Sequence, residues 1–134
     1  MATSLKKVID LIESWRPRSC ETEKDFEKSL VRHLEKNLEQ AEIIQQYAAG
    51  RLRGDIVVDG KILIEIKQDL DSTGKLQRLL GQIELYNSKW NGQVVVVLCG
   101  ESKRDLLQTV REKIKSFEPG FLDFDDPKIY LRVK

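Results

Sequence analysis

Between Ser4 and Trp15, the residues Leu5, Val8, Ile9, Ile12 and Trp15 recur at three- and four-residue spacing, which predicts an amphipathic helix halted ahead of Pro17. A second helix is expected from about Glu21 to Gln40, with Phe26, Leu30, Leu34 and Leu38 on one stripe. Its acidic residues come early and Arg32 and Lys36 later, as the helix dipole favours. The period then shortens. Glu42 to Tyr47, Arg51 to Val58 and Lys61 to Lys67 have strand character and are punctuated by Gly50 and Asp59-Gly60. Helical spacing returns in Leu76, Leu79, Leu80, Ile83 and Tyr86, a helix from about Gly74 to Ser88 that ends at Asn91-Gly92.

Gln93 to Cys99 is almost wholly apolar, as expected of a strand covered on both faces at the centre of a sheet. Ser102 and Asp105 form a capping-box pattern ahead of Leu106, Leu107, Val110, Ile114 and Phe117, a helix expected to stop at Glu118-Pro119-Gly120. Lys128 to Val133 closes the chain as an edge strand. The order α, α, β, β, β, α, β, α, β implies an α/β fold with one mixed central sheet flanked by helices.

A chain of 134 residues suits a single domain, residues 1–134, large enough to bury its own core. With 40% hydrophobic and 34% charged residues it has the balance of a globular protein with a charged surface. Lys and Arg number 23 against 22 Asp and Glu, so any attraction to a polyanion must be local. Two cysteines, Cys20 and Cys99, and one His33 are too few for a disulfide framework or a zinc cluster, and they suit a reducing cytosol. No apolar run reaches membrane-spanning length and the first residues lack a signal-peptide core, so a cytoplasmic location and no membrane partner are expected. Ser72-Thr73-Gly74-Lys75 lacks the first glycine of a phosphate loop, with Asp69 in its place, and the Ser or Thr after its lysine.

Strand alternation places Arg51, Arg53 and Asp55 on one face and Leu52, Gly54 and Ile56 on the other. In the next strand Leu63, Glu65 and Lys67 share a charged face opposite Ile62, Ile64 and Ile66. A two-residue turn at Asp59-Gly60 would pair Asp55 with Ile64 and separate the acids. A three-residue loop, Val58-Asp59-Gly60, with Gly60 left-handed as a bulge, pairs Val57 with Lys61 and Asp55 with Leu63, and brings Asp55, Glu65 and Lys67 to one face. The isoleucines favour this register, because a one-residue slip would turn them away from Ile56. Two carboxylates on adjacent strands suit a hard divalent cation, and a neighbouring lysine can stabilise developing negative charge.

Gly54-Asp55 on one strand and Glu65-Ile66-Lys67 on the next resemble the PD-(D/E)XK, or restriction-endonuclease-like, nuclease superfamily. Gln82 and Tyr86 look like the Q-x-x-x-Y helix motif of some of its branches, and the αβββαβ order from about residue 21 to 99 matches its core. The N-terminal helix and the C-terminal αβ pair would be extensions. The resemblance implies a metal-dependent deoxyribonuclease, an endonuclease, with Asp55, Glu65 and the Ile66 carbonyl holding Mg2+ or Mn2+. Lys67 would assist the attacking water. Gln82 would belong to the catalytic set, and so would an acid from the first core helix, with Glu23 the better match and Glu27 the reserve. Gly54 replaces the motif's proline. Lys75, Arg78, Gln82 and Tyr86 run along one helix flank, so Lys75, Arg78 and Tyr86 join Arg51 and Arg53 as a track for DNA phosphates.

The bland alternative is a solvated sheet face with an ion pair, a packed tyrosine, and acids that merely favour a helix start. Nucleases of this kind commonly act as homodimers, although the sequence shows no dimer seam. Two rival functions stay open: a silent DNA-binding or assembly module that keeps the nuclease fold, and a nuclease domain working inside a larger complex.

Overall fold

A computed structural model describes residues 3–117 and 127–134. Helix α1, Leu5–Ser14, begins where the Ser4 side chain accepts from the Lys7 amide. Helix α2, Glu23–Asn37, opens on a full capping box between Thr22 and Asp25. Strands β1 (Ile43–Ala49), β2 (Leu52–Val58) and β3 (Ile62–Leu70) follow, then helix α3 (Thr73–Lys89), strand β4 (Gln93–Ser102), helix α4 (Arg104–Lys115) and strand β5 (Ile129–Val133). The sequence-predicted stop at Glu118-Pro119-Gly120 lies outside the described residues.

The five strands form one mixed sheet in the order β1-β2-β3-β4-β5. The first three pair antiparallel, and β3, β4 and β5 run parallel, linked through α3 and α4. The middle strand is therefore β3, and the valine-rich β4 lies one place out. Its two-sided burial is as expected: Val95, Val97 and Cys99 pack with α1 and α2, and Val94, Val96 and Leu98 with α3 and α4. Phe26, Leu30, Leu34 and Leu38, the expected stripe of α2, are all buried. Helices thus cover both faces. Both cysteines are free, and burial pushes the Cys99 thiol up to about 12. Among the described residues no helix is long and apolar enough to cross a membrane.

Three local expectations need correction. The Ser102 capping box does not form, because β4 continues to Ser102 and Lys103 takes the cap position without a side-chain hydrogen bond. The β2–β3 pairs are Val58↔Ile62, Val57↔Leu63 and Ile56↔Ile64, two residues from the expected Val57–Lys61 register. Side-chain parity survives a shift of two, so the faces of β3 come out as expected. Both Asp59 and Gly60 have positive φ, 53° and 66°, and the Lys61 amide donates to the Val58 carbonyl at 3.1 Å. The left-handed Asp59 is tied down by its carboxylate, which accepts from the Thr3 and Glu42 amides at 2.7 and 2.9 Å.

The third correction concerns the charged face. Val57 and Leu63 lie on it and are fully buried beneath Leu79, Ile83 and Tyr86 of α3, forming a second core rather than a wet surface. Burial of one such side chain contributes about 1.5–3 kcal/mol. The polar residues of that face are confined to one end of the strand pair.

Candidate active site

Ladder pairing between β2 and β3 stops at Ile56↔Ile64, yet β1 stays with β2 out to Ala49↔Leu52 and β3 with β4 past Lys67↔Leu98. A fork therefore opens between the two strands. Asp55 and Glu65 are the next residues along, on the opposing prongs. Gln46, whose φ of 52° is left-handed, interrupts the β1 ladder where it would face Asp55. Beyond that kink the expected alternation fails: Tyr47 and Leu52 pack on the α3/α4 side, although Ile56 belongs to the α1/α2 side. Gly54 faces Leu63, and a Cβ there would lie 2.8 Å from Leu63 Cγ. Close approach explains the glycine, since any side chain at 54 would have to displace a buried leucine.

Continued by two residues, the ladder would join Ile66 to Gly54. Instead the Asp55 carboxylate enters the gap and accepts from the Ile66 amide at 2.7 Å. The carbonyl of a strand residue points to the same side as its N–H, so the Ile66 carbonyl also faces the fork.

Glu65 is 3% exposed. Burial first, and the nearby Asp55 charge second, raise its pKa to about 8. The Tyr86 hydroxyl lies against Glu65 Oε2 and also 2.6 Å from the Arg53 carbonyl. A phenol has one proton, so both contacts are satisfied when Glu65 is protonated and donates to Tyr86, which donates to Arg53. Lys67 Nζ stands 3.6 Å from Glu65 Oε1. Asp55 and Lys67 thus both lie near Glu65, the convergence that the sequence predicts.

Helix α2 brings its acids from the other side of the fork. Glu23 Oε1 accepts from the Gln68 amide at 3.0 Å, but Glu27 is the acid turned to Asp55. Glu27 is 4% exposed, takes one bond from Gln46 Nε2 at 2.6 Å, and leaves Oε2 without a partner. Burial and Asp55 raise its pKa. A cavity of about 330 Å³ lies between Glu23, Lys24, Glu27, Gln46 and Asp55. Among the described residues, no three His, Cys, Asp or Glu groups are close enough together to hold a metal ion.

The remaining residues divide. Gln82, one helical turn before Tyr86, keeps a buried Oε1 with no partner. Lys75 and Arg78 share with Lys67 and Glu23 a second cavity of about 330 Å³. Lys75 also pairs with Asp71 at 3.1 Å. Tyr86, 1% exposed, is closed to direct DNA contact, which corrects its assignment to the phosphate track. Arg51 and Arg53 are exposed on the β1–β2 hairpin. Sequence reasoning missed Gln46, because only a tertiary kink turns its side chain to Glu27.

Comparison with protein-family models, curated proteins and solved structures finds no match to this chain.

Proposed function

We propose that the chain is a metal-dependent nuclease that hydrolyses DNA phosphodiester bonds at the β2–β3 fork, with a restriction-endonuclease-like core. The carrying observation is the meeting of Asp55, Glu65 and Lys67 at the one place where β3 loses its antiparallel partner. The run α2-β1-β2-β3-α3-β4 supplies the αβββαβ order that the PD-(D/E)XK resemblance implies.

The donor set fits magnesium or manganese: two carboxylates, one backbone carbonyl at Ile66, and room for water in place of a third acid. A carboxyl whose pKa is raised first by burial and then by the Asp55 charge is one that a cation would relieve. Bound there, the ion would polarise the phosphodiester and acidify a water molecule. Asp55 and Glu65 would hold that ion. Lys67 stabilises charge developing on the phosphate and orients the nucleophile. Tyr86 fixes the Glu65 carboxyl, and Glu27, which lines a cavity with Asp55 and keeps Oε2 without a partner, is better placed to receive a proton than Glu23, whose Oε1 is held by the Gln68 amide. Lys75 and Arg78, along the cavity shared with Lys67, guide the phosphate backbone.

The test is incubation of the purified chain with supercoiled, linear and branched DNA and magnesium. Cleavage that disappears in Asp55→Asn and in Lys67→Ala is expected. Its persistence in both, or its absence from the native chain, would overturn the reading. A rival is a DNA-binding module without turnover, favoured by the exposed Arg51 and Arg53, which need no metal to meet phosphates. Calorimetric titration with magnesium separates them, since only the nuclease requires saturable uptake that is lost in Asp55→Asn.

A further inference from the structure

Beyond Ile56↔Ile64, where β2 parts from β3, strands β1 and β2 continue past the acidic fork as a two-stranded arm. We infer that this arm is a duplex reader, a two-stranded ribbon that enters the major groove of B-form DNA and makes duplex the substrate. The inference rests on the nuclease reading only for what happens at the fork; binding by the arm can be measured without cleavage.

Four observations carry it. First, the ladder from Tyr47↔Gly54 to Ala49↔Leu52 has no β3 partner, so the arm is two strands wide. Strands about 4.8 Å apart, with their side chains, match a groove about 12 Å wide. Second, the twelve residues from Ile43 to Gly54 contain no Asp or Glu, in a chain that has 22 of them, but do contain Arg51 and Arg53. Both arginines are exposed, and among the described residues neither side chain is in an ion pair. Their charge is available to phosphates or to guanine edges. Third, the tip turns at Gly50-Arg51, and Ala48, Ala49 and Gly50 beside that arginine are exposed and small, which permits close approach of this stretch of backbone to a groove floor. Fourth, the arm is braced, because Tyr47 meets Trp90 edge-to-face with ring centroids 5.6 Å apart and Leu52 joins the same core.

Duplex is favoured over single strands by what the arm lacks. Its one aromatic, Tyr47, is half-buried and engaged edge-to-face with Trp90, so the arm offers no free ring for an unpaired base to stack on. An RNA duplex is disfavoured because its major groove is too deep and narrow for such a ribbon.

The experiment is fluorescence anisotropy with the full chain in EDTA, against fluorescein-labelled DNA duplex, the same single strand, and an RNA duplex of that sequence. Duplex DNA should bind at least ~10-fold more tightly than either. Arg51→Ala/Arg53→Ala should weaken duplex binding on the order of 10-fold or more and reduce the salt-dependence slope by about 2. Ala49→Glu, at an exposed tip position, should weaken duplex binding with both arginines intact, and N7-methylation of guanine in the duplex should do the same. Unchanged duplex affinity in both variants, equal losses on duplex and single strand, or preference for the single strand would overturn the inference. Circular dichroism melts confirm that each variant is folded. If the chain binds duplex through the arm but never cuts, the nuclease reading fails and the arm stands; if it cuts and the variants bind as before, the arm fails and the nuclease stands.

Discussion

The two ends of the β2–β3 hairpin are built from the same kinds of strand and behave oppositely. In the stem, Ile56, Val57 and Val58 face Ile64, Leu63 and Ile62 in unbroken register, and all six are buried between helix layers. One step further, at the fork, the ladder ends and Asp55 and Glu65 take the places that apolar residues held. Glu65 is as buried as the stem, but its carboxyl has only a tyrosine, a lysine and another acid for company. The stem shows what a two-sided core asks of a strand; the fork shows a buried carboxyl and a half-buried carboxylate accommodated where the sheet's own backbone hydrogen bonding is interrupted. There a carboxylate can occupy the vacancy, as Asp55 does at the Ile66 amide.

The sharpest way to break that contrast is Asp55→Asn. Its amide oxygen can still accept from Ile66, so the fold should melt within about 1 kcal/mol of the native chain, whereas cleavage should fall roughly 10²–10³-fold. Loss of stability as large as the loss of activity would mean that Asp55 is structural. Leu63→Ala makes the reverse change in the stem: a loss of about 2–5 kcal/mol in urea denaturation, as expected for a cavity in a fully buried site. Activity per folded molecule should survive it to a greater degree than in Asp55→Asn.

Glu65 gives the comparison a pH axis. Its folded pKa, about 8, lies above the ordinary 4.5, so the folded state holds a proton that the unfolded state has released. That contribution is complete below pH 4.5 and is lost as pH rises through 8, worth a few kcal/mol at most. Metal-free protein should therefore lose stability between pH 5 and 8.5 in denaturant melts, and Glu65→Gln should flatten the decline. A decline of equal steepness in the variant would assign it to other groups. The smallest expected effect is that of Tyr86→Phe. With the ring kept but the hydroxyl gone, the Arg53 carbonyl and Glu65 lose a shared partner, and a cost of about 1–3 kcal/mol is expected in thermal melts.

The amphipathic stripes of α1, α2 and α3, the apolar run of β4 and the isoleucine row of β3 were legible in the chain, because each records a period that only one kind of element satisfies. That Glu65 and Lys67 share a face was legible too, since a register wrong by two residues leaves side-chain parity unchanged; the turn of the Asp55 carboxylate into the gap, onto the Ile66 amide, was not. Glu27 against Glu23 was not legible, since both sit toward the apolar stripe of α2 and only the placement of that helix over the fork decides which one meets Asp55.

The sequence by itself thus determined the elements, their order and the two carboxylates that share a prong-to-prong gap, because those follow from local periodicity and alternation. Tertiary structure alone decided the kink at Gln46, the close contact of Gly54 with Leu63, the burial of Tyr86 and the parting of the β1–β2 arm from β3. Each of these depends on where distant layers press against the sheet, and no short stretch of chain carries that information.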